Sequence, residues 1–353
     1  MKIAVLTLPL VNNYGGNLQA FAMMRLLKNL GYEPVFLNLK LNKTEFLIRY
    51  IIKKYFLWFI PRYKNPILLK QTPFSVQFID KYINPKTKEI YTSKDLYYIM
   101  NNGDFDACIV GSDQVFRTLS VSKMLNNIYS LSGVNDKIIK LSYAASFGAD
   151  RYLGGNIEFH SKNFKKFKAI SVREKSGIKI CKETFGVDAV HVLDPTMMLE
   201  VDEYKNIFKG DLESKTRDKI FAYVLDKDLE KDKIIQNFAI KNNLKIFQIN
   251  DAIDDKNSIS IESWLKSIYE AEIVITDSFH GCVFSILFNK EFYCFINEAR
   301  GTDRFYSLLE TFNLMDRIID KDIIKAKIDY EKVNNILENQ KKLSSQFLKD
   351  NLE

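Results

Sequence analysis

Apolar positions along this chain come in short runs, separated by turns and by amphipathic stretches in a regular order. The run from Ile3 to Leu8 has strand length. After a turn at Asn12 to Gly16, the residues Leu18, Phe21, Ala22, Leu26 and Leu27 recur at helical spacing, and Gly31 closes that helix ahead of a second run from Pro34 to Leu39. Further strands are predicted at Ala107 to Val110, Ile139 to Ser146, Ala169 to Val172 and Ala189 to Leu193. Helical segments alternate with them at Ser93 to Asn101, Glu158 to Phe167 and Lys175 to Phe185. A second series begins near Lys219. Its strands are Ile220 to Leu225, Lys245 to Ile249, Ile273 to Thr276 and Phe292 to Ile296; its helices are Leu229 to Asn242, Ser263 to Tyr269 and Val283 to Phe288.

Short apolar strands alternating with helices predict parallel sheets with helical crossovers, so the fold class is α/β. The sheet pattern lapses into a charged connector between Pro195 and Arg217. That lapse divides the chain into two Rossmann-like domains, residues 1–200 and 215–330, facing across a cleft. A polar helix is expected over residues 331–353, folding back over the first domain by analogy of architecture. Residues from Leu119 to Asp136 show weak periodicity and read as a loop with a short helix. The basic and aromatic stretch from Phe46 to Leu69 is open to two readings: a membrane-surface helix, or helices of the first domain with lysines on the wet face.

A chain of 353 residues fits two cores better than one, and 46% hydrophobic with 27% charged residues is ordinary for a globular protein. The net charge of +7 is spread along the chain, which favours anionic small molecules or an anionic membrane surface. No dense basic block interleaved with aromatics stands out, so nucleic-acid binding is not expected. The 13% aromatic content fits large cores or a sugar-binding cleft. Four cysteines (Cys108, Cys181, Cys282, Cys294) lack metal-ligand spacing, so free thiols in a reducing compartment are expected. The first apolar run is too short for a leader, and no stretch is long enough to span a bilayer without charges. The expected location is cytoplasmic, with the inner face of the plasma membrane open through residues 46–69.

Ligands of open α/β sheets bind beyond the carboxyl ends of the strands. Five polar clusters follow predicted strands. The first, Asn12 to Asn17, contains Asn13, Gly15, Gly16 and Asn17. Its paired glycines let backbone approach a ligand, and the next helix offers free N–H groups to an anion. The second holds Ser112, Asp113 and Gln114, a set suited to sugar hydroxyls or to a helix cap. The third runs from Ser142 through Ser146 to Gly148, where small residues make room. In the fourth, Arg173 is placed to fork onto a carboxylate or phosphate, with Glu174 beside it. The fifth holds Asp277, Ser278 and His280 at a strand-to-helix turn, where a histidine can hold a proton near neutral pH. His160 and His191 fall in a polar helix and a strand and read as structural.

Together these segments resemble the polysaccharide pyruvyl transferase family. The resemblance runs through LPLVNNYGGNLQAFAMMRLLKNLGY, DFDACIVGSDQVFR, SYAASFG, SVREKSG, HVLDPTMML and VITDSFHGCVFSILFNKEF, up to about Leu314. It implies a fold similar to GT-B glycosyltransferases. It also implies transfer of a pyruvyl group from phosphoenolpyruvate to sugar hydroxyls of a surface or capsular glycan, or its lipid-linked precursor, giving a ketal without cofactor or metal. Under that reading Arg173 and Arg304 take the donor's anionic groups, His280 supplies the proton and Asp113 assists the attacking hydroxyl. Many family members carry an arginine two residues before the histidine, where this chain has Ser278. Arg304 or Arg300 is then expected to supply the cation. A GT-B-type glycosyltransferase with a nucleotide-sugar donor is the alternative, and a silent glycan-binding protein of the same fold is a third. The first turn lacks the three-glycine dinucleotide fingerprint, which argues against a Rossmann dehydrogenase.

Overall fold

The computed structural model describes residues 1–40, 71–117, 123–152, 154–210, 215–226, 228–249, 259–297, 301–320, 323 and 327–353. The stretch at 46–69 and Arg300 lie outside the described residues. Six parallel strands form the first sheet: β1 (Lys2–Leu6), β2 (Glu33–Phe36), β3 (Ala107–Val110), β4 (Ile139–Ala145), β5 (Ala169–Val172) and β6 (Val190–His191), in the order β2-β1-β3-β4-β5-β6. The second sheet is also parallel, with β7 (Lys219–Tyr223), β8 (Lys245–Ile249), β9 (Ile273–Thr276) and β10 (Glu291–Cys294) in the order β10-β9-β7-β8. Each sheet reverses its winding once, between β1 and β3 in the first and between β7 and β9 in the second. Crevices form at such switch points, outside the carboxyl ends of the strands.

The long helix α1 (Tyr14–Asn29) follows β1 and starts where Asn13 accepts the Gly16 N–H on its side chain. It stops at Gly31, whose φ of +86° is a conformation that side chains disfavour. A helix at Pro73–Tyr82, which the hydrophobic pattern did not single out, packs on it as α2. The remaining helices of this half are α3 (Ser93–Asn102), α4 (Lys123–Tyr129), α5 (Ile157–Phe164) and α6 (Lys175–Ile180), the last continued by a wider turn at Cys181–Phe185. After α7 (Val201–Ile207) the second half contributes α8 (Leu229–Lys241), α9 (Ile261–Glu270), α10 (Phe279–Leu287) and α11 (Asp303–Thr311).

Several predicted strands end earlier than expected, and for two of them the hydrogen bonds give the reason. The run from Pro34 leaves its strand after Phe36, because Asn38 and Lys40 bond Thr87 and Ile90 instead. At the sheet edge, β6 pairs through only Val190 and His191, and the Leu193 N–H donates to Ser344 Oγ of the C-terminal helix α12 (Tyr330–Leu352). That helix starts against the second half, where the Tyr330 hydroxyl donates to the Lys290 carbonyl. It ends against the first, with Phe347 beside Tyr143.

One apolar core runs through both halves. Tyr14 of α1 packs on Trp264 of α9 at 5.6 Å between ring centroids, and Trp264 meets Phe284 of α10 edge-on. Each large side chain buried this way contributes about 2–3 kcal/mol. The Tyr14 hydroxyl also donates to the Ile259 carbonyl (2.7 Å) and accepts the Ile259 N–H (3.2 Å). Tyr14→Phe leaves both groups buried without that partner and is expected to cost about 1–3 kcal/mol in urea unfolding. A change below 0.5 kcal/mol would show that the bond between the halves contributes nothing.

His160 has structural surroundings, whereas His191 Nε2 donates to the Arg173 carbonyl at 3.0 Å and its ring borders the void beside Asp194. His160 is fully buried, bonded through Nδ1 to Ser130 Oγ at 2.8 Å and packed against Phe164 and Phe185. Burial pushes its pKa down to about 4. The unfolded chain therefore takes up this proton near pH 6.5, while the folded one resists to about pH 4. Stability on the order of 2–3 kcal/mol is expected to be lost as pH falls through that window. His160→Phe should flatten that part of the curve of unfolding free energy against pH, and an unchanged slope would place the titration elsewhere.

Candidate functional site

The clusters that follow β1, β3, β5 and β9 meet at the carboxyl ends of both sheets, and their centre is a residue outside the initial candidate set. Asp194, just beyond β6, accepts the Ser112 hydroxyl at 2.7 Å and the Arg173 guanidinium at 2.8 Å on the same oxygen, Oδ2. His280 Nε2 stands 3.7 Å from that oxygen. The other oxygen accepts the Thr196 N–H and hydroxyl. Burial alone would raise the Asp194 pKa. His280, Arg173 and Thr196 outweigh that cost and hold the carboxyl far below the usual carboxylate range. An aspartate followed by proline directly after a predicted strand was the signal for it, within the segment HVLDPTMML.

Arg173 is 3% exposed and follows β5. Besides Asp194 it faces Asp113 Oδ1 at 3.5 Å through Nη2, and its guanidinium lies 4.4 Å above the Phe279 ring. Burial opposes its charge, but Asp194, Asp113 and Glu174 together raise its pKa. Arg304 of α11 approaches the same ring, at 5.3 Å from the centroid. Burial and the nearby Arg173 push Arg304 down to about 10, so it stays charged at neutral pH. Two buried guanidiniums therefore stand against one aromatic ring. Nε of each, and Nη2 of Arg173, are buried without a hydrogen-bond partner. Donors left in this state fit an anion or other acceptor that binds between the halves.

His280 lies in the first turn of α10, which starts at Phe279 rather than at the expected Val283. Ser278 is the N-cap, its hydroxyl accepting the Gly281 N–H at 3.3 Å. That hydroxyl is thus engaged in starting the helix. Asp277 is fully buried, and its oxygens accept from the Leu225 and Asp226 N–H groups, Lys231 and Asn297. It braces the β7–β9 crevice from within the second half. Across the cleft, Gly15 presses on the imidazole. A Cβ there would stand 2.0 Å from His280 Nδ1 and 2.3 Å from Cγ.

The rest of the candidate set serves as a frame. Asn13 is exposed and caps α1, while Asn17 is buried and donates to the Val11 carbonyl with Oδ1 left unpartnered. Asp113 adopts φ +76° and bridges Ala145, next to a bulge in β4 where Ala144 adopts φ +50°. Such backbone in non-glycine residues is held only where surroundings over-determine it, and it gathers at functional sites. The bulge carries Ser146 to Gly148 toward the cleft. There the Glu174 carboxylate accepts the Phe147 and Gly148 N–H groups, and Ser146 Oγ accepts the Gly148 N–H at 3.1 Å. Burial is the main cause of the raised Glu174 pKa, and Arg173 opposes it. Gln114 accepts from Arg117 at the rim.

The void bordering Arg173, Asp194 and Phe279 has a volume of about 10 Å³, room for about one water. The halves touch over it: the Lys175 N–H donates to Ser307 Oγ, Ser176 to Asp303, and Gly301 crowds the Gly148 carbonyl. A groove of about 930 Å³ opens at the other end of the first sheet, against Lys2, Tyr32, Tyr82 and Phe105, away from the charged cluster. Among the described residues no group of three or more His, Cys, Asp or Glu is placed to hold a metal. No helix among them is long and apolar enough to cross a membrane.

The family model for polysaccharide pyruvyl transferase matches residues 13–298, which takes in every cluster above except Arg304. The chain belongs to the polysaccharide pyruvyl transferase family. No curated protein matches its sequence. Among solved structures, UDP-N-acetylglucosamine 2-epimerase from Rickettsia bellii is similar at a TM-score of 0.53 and 11% identity, over 100% of this chain and 96% of that one. MnaA from S. aureus, in complex with UDP, is similar at 0.52 and 10% identity, over 97% and 87%. At such identity the likeness shows the fold alone: two Rossmann-like halves in the GT-B manner. This member of the pyruvyl transferase family therefore has its charged cluster where the halves of that fold face each other.

The contact between Gly15 and His280 is open to a direct test. Gly15→Ala is expected to destabilise by about 1–3 kcal/mol through overpacking. In Gly16→Ala the new Cβ meets only the Asn13 side chain, at 3.1 Å, and the cost should stay below about 1 kcal/mol. Equal urea midpoints for the two variants would refute the contact.

Proposed function

We propose that this protein transfers a pyruvyl group from phosphoenolpyruvate to two hydroxyls of a glycan or a lipid-linked oligosaccharide, forming a ketal. Family membership supports the reaction class. The observation that carries the donor is the pair of buried guanidiniums over Phe279, with N–H groups left unpartnered beside a histidine. Phosphoenolpyruvate brings a carboxylate and a phosphate, which a pair of cationic forks can hold in one orientation.

The chemistry then runs on groups of this chain. His280 donates a proton to C3 of the enol, which becomes a methyl group as C2 turns electrophilic. A sugar hydroxyl bonds to C2 and gives its proton to Asp113 or to another carboxylate of the cleft. The C2–O bond to phosphate breaks with its electron pair, and inorganic phosphate leaves. A second hydroxyl bonds to C2 and closes the ketal. Two hydroxyl protons are lost and one is gained at C3, so one proton leaves overall with the phosphate. No redox step occurs, and the scheme calls for no resident cofactor.

Thermal unfolding with a donor panel tests this reading. Phosphoenolpyruvate at 100 times its Kd is expected to add about 2.7 kcal/mol of apparent stability, a rise of several degrees in Tm. Arg304→Ala should remove that rise while remaining folded, since no hydrogen bond satisfies its Nε. A shift with nucleotide sugars and none with phosphoenolpyruvate would replace the reading by a glycosyltransferase. Oligosaccharide binding that survives His280→Ala, with no donor shift, would indicate a silent glycan-binding protein.

A further inference from the structure

We infer that Asp194 is a positioning residue for this site: one carboxylate oxygen, Oδ2, takes Ser112 and Arg173 and stands 3.7 Å from His280 Nε2, so that a single atom from the first half registers the imidazole of the second. The inference rests on the pyruvyl-transfer reading only for what His280 does, not for how it is held.

Three observations carry it. First, Oδ2 already accepts two hydrogen bonds, from Ser112 Oγ and Arg173 Nη1, which occupy its lone pairs. It is therefore poorly placed to take a proton from His280. Second, 3.7 Å is too long for a hydrogen bond, and His280 Nε2 has no partner although it is buried. The nitrogen stands near Oδ2 without a bond to it and is left available to a substrate. Third, the opposite side of the ring is walled by Gly15, so the imidazole cannot retreat from Asp194. The contact there involves Cβ and Cγ as well as Nδ1 and does not depend on which way the ring is turned.

The charged groups around the imidazole come from every element that meets there. Arg173 follows β5, Asp113 follows β3, and Arg304 lies on α11 across the Phe279 ring, while Glu174 is next to Arg173. Among the described residues, Asp194 alone stands within ion-pair distance of His280. Asp194 also competes with any ligand for Arg173. Removing its charge should loosen the histidine and leave Arg173 freer for an anionic donor. Turnover and donor affinity therefore respond in different ways, as loss of fold would not produce.

The test compares the full-length protein with Asp194→Asn and Ser112→Ala. Imidazole NMR of the substrate-free protein reads the three histidines separately. In Asp194→Asn the His280 ring signals should shift or broaden, while those of His160, buried against Ser130, Phe164 and Phe185, stay in place. With phosphoenolpyruvate, turnover should fall about 100-fold or more, and Kd should stay within threefold of the parent or tighten. Unchanged His280 signals would overturn the inference, as would a Kd that weakens by the same factor as turnover. If Asp194→Asn does not fold, Ser112→Ala decides: it removes one of the donors to Oδ2 and should give a smaller change of the same signals, and no change overturns the inference. If the parent protein does not turn over phosphoenolpyruvate, the pyruvyl reading falls by itself, and the ring signals alone decide the role of Asp194.

Discussion

Tyr14 and Gly15, the first two residues of α1, set the distance between the two sheets. Tyr14 carries the apolar half of that task by packing on Trp264 and bonding the Ile259 backbone. Gly15 carries the polar half by having no side chain where His280 must lie. Both follow from where α1 begins, and Asn13 determines that by capping it. A start one residue later would turn the helix by about 100° and present a different pair to the second half. The cleft of this protein is therefore a consequence of helix phase, and the continuous core behind it makes the halves share a seam rather than merely a linker.

Over that seam sits a charge cluster that is costly to bury. Arg173, Arg304, Asp113, Asp194 and Glu174 are all nearly inaccessible, and such a set rarely adds stability over well-packed apolar residues. What it provides is placement. Asp194 is held ionised by its partners, whereas Glu174 is driven by burial toward the neutral form. Two carboxyls beside the same arginine thus have opposite tendencies: at Asp194 the partners outweigh burial, whereas at Glu174 burial outweighs Arg173 and the Phe147 and Gly148 N–H groups. Sites that handle protons commonly separate their acids in this way.

Much of the frame was legible in the sequence, because strand runs and helix periods report burial directly. The two sheets, the body of α1 and the turn at His280 follow from apolar spacing, whereas α1 starts at Tyr14, inside the turn expected at Asn12 to Gly16, because Asn13 caps it there. The misses have a common physical origin in partners that are distant in sequence. The ends of β2 and β6 were expected to be longer because their residues are apolar, but their backbone groups bond Thr87, Ile90 and Ser344 instead of a neighbouring strand. For Asp194 the Asp-Pro step after a strand marks a place but not a role, since nothing local distinguishes a carboxylate that caps Thr196 from one that also accepts Ser112 and Arg173. Ser278 and Asp277 show the reverse: residue types suited to ligands, at a suitable place, that the fold uses to cap α10 and to tie down the loop after β7.

Ser278 also bears on the one departure from the family pattern. An arginine two residues before the histidine would stand at the N-cap of α10, where its side chain has no acceptor for the Gly281 N–H. Serine accepts that N–H, so the helix starts in register and His280 falls in its first turn. The cation is then needed from elsewhere, and Arg304 stands over the Phe279 ring, the residue directly after Ser278. It comes from α11, on the far side of the ring from the α10 N-cap in sequence and attached to a separate element. Because α11 also carries Asp303 and Ser307, which touch the first half at Ser176 and Lys175, the position of this second guanidinium is tied to the contact between the halves. An arginine at position 278 would be fixed to the same turn as the histidine, whereas Arg304 is placed by an element that both halves hold.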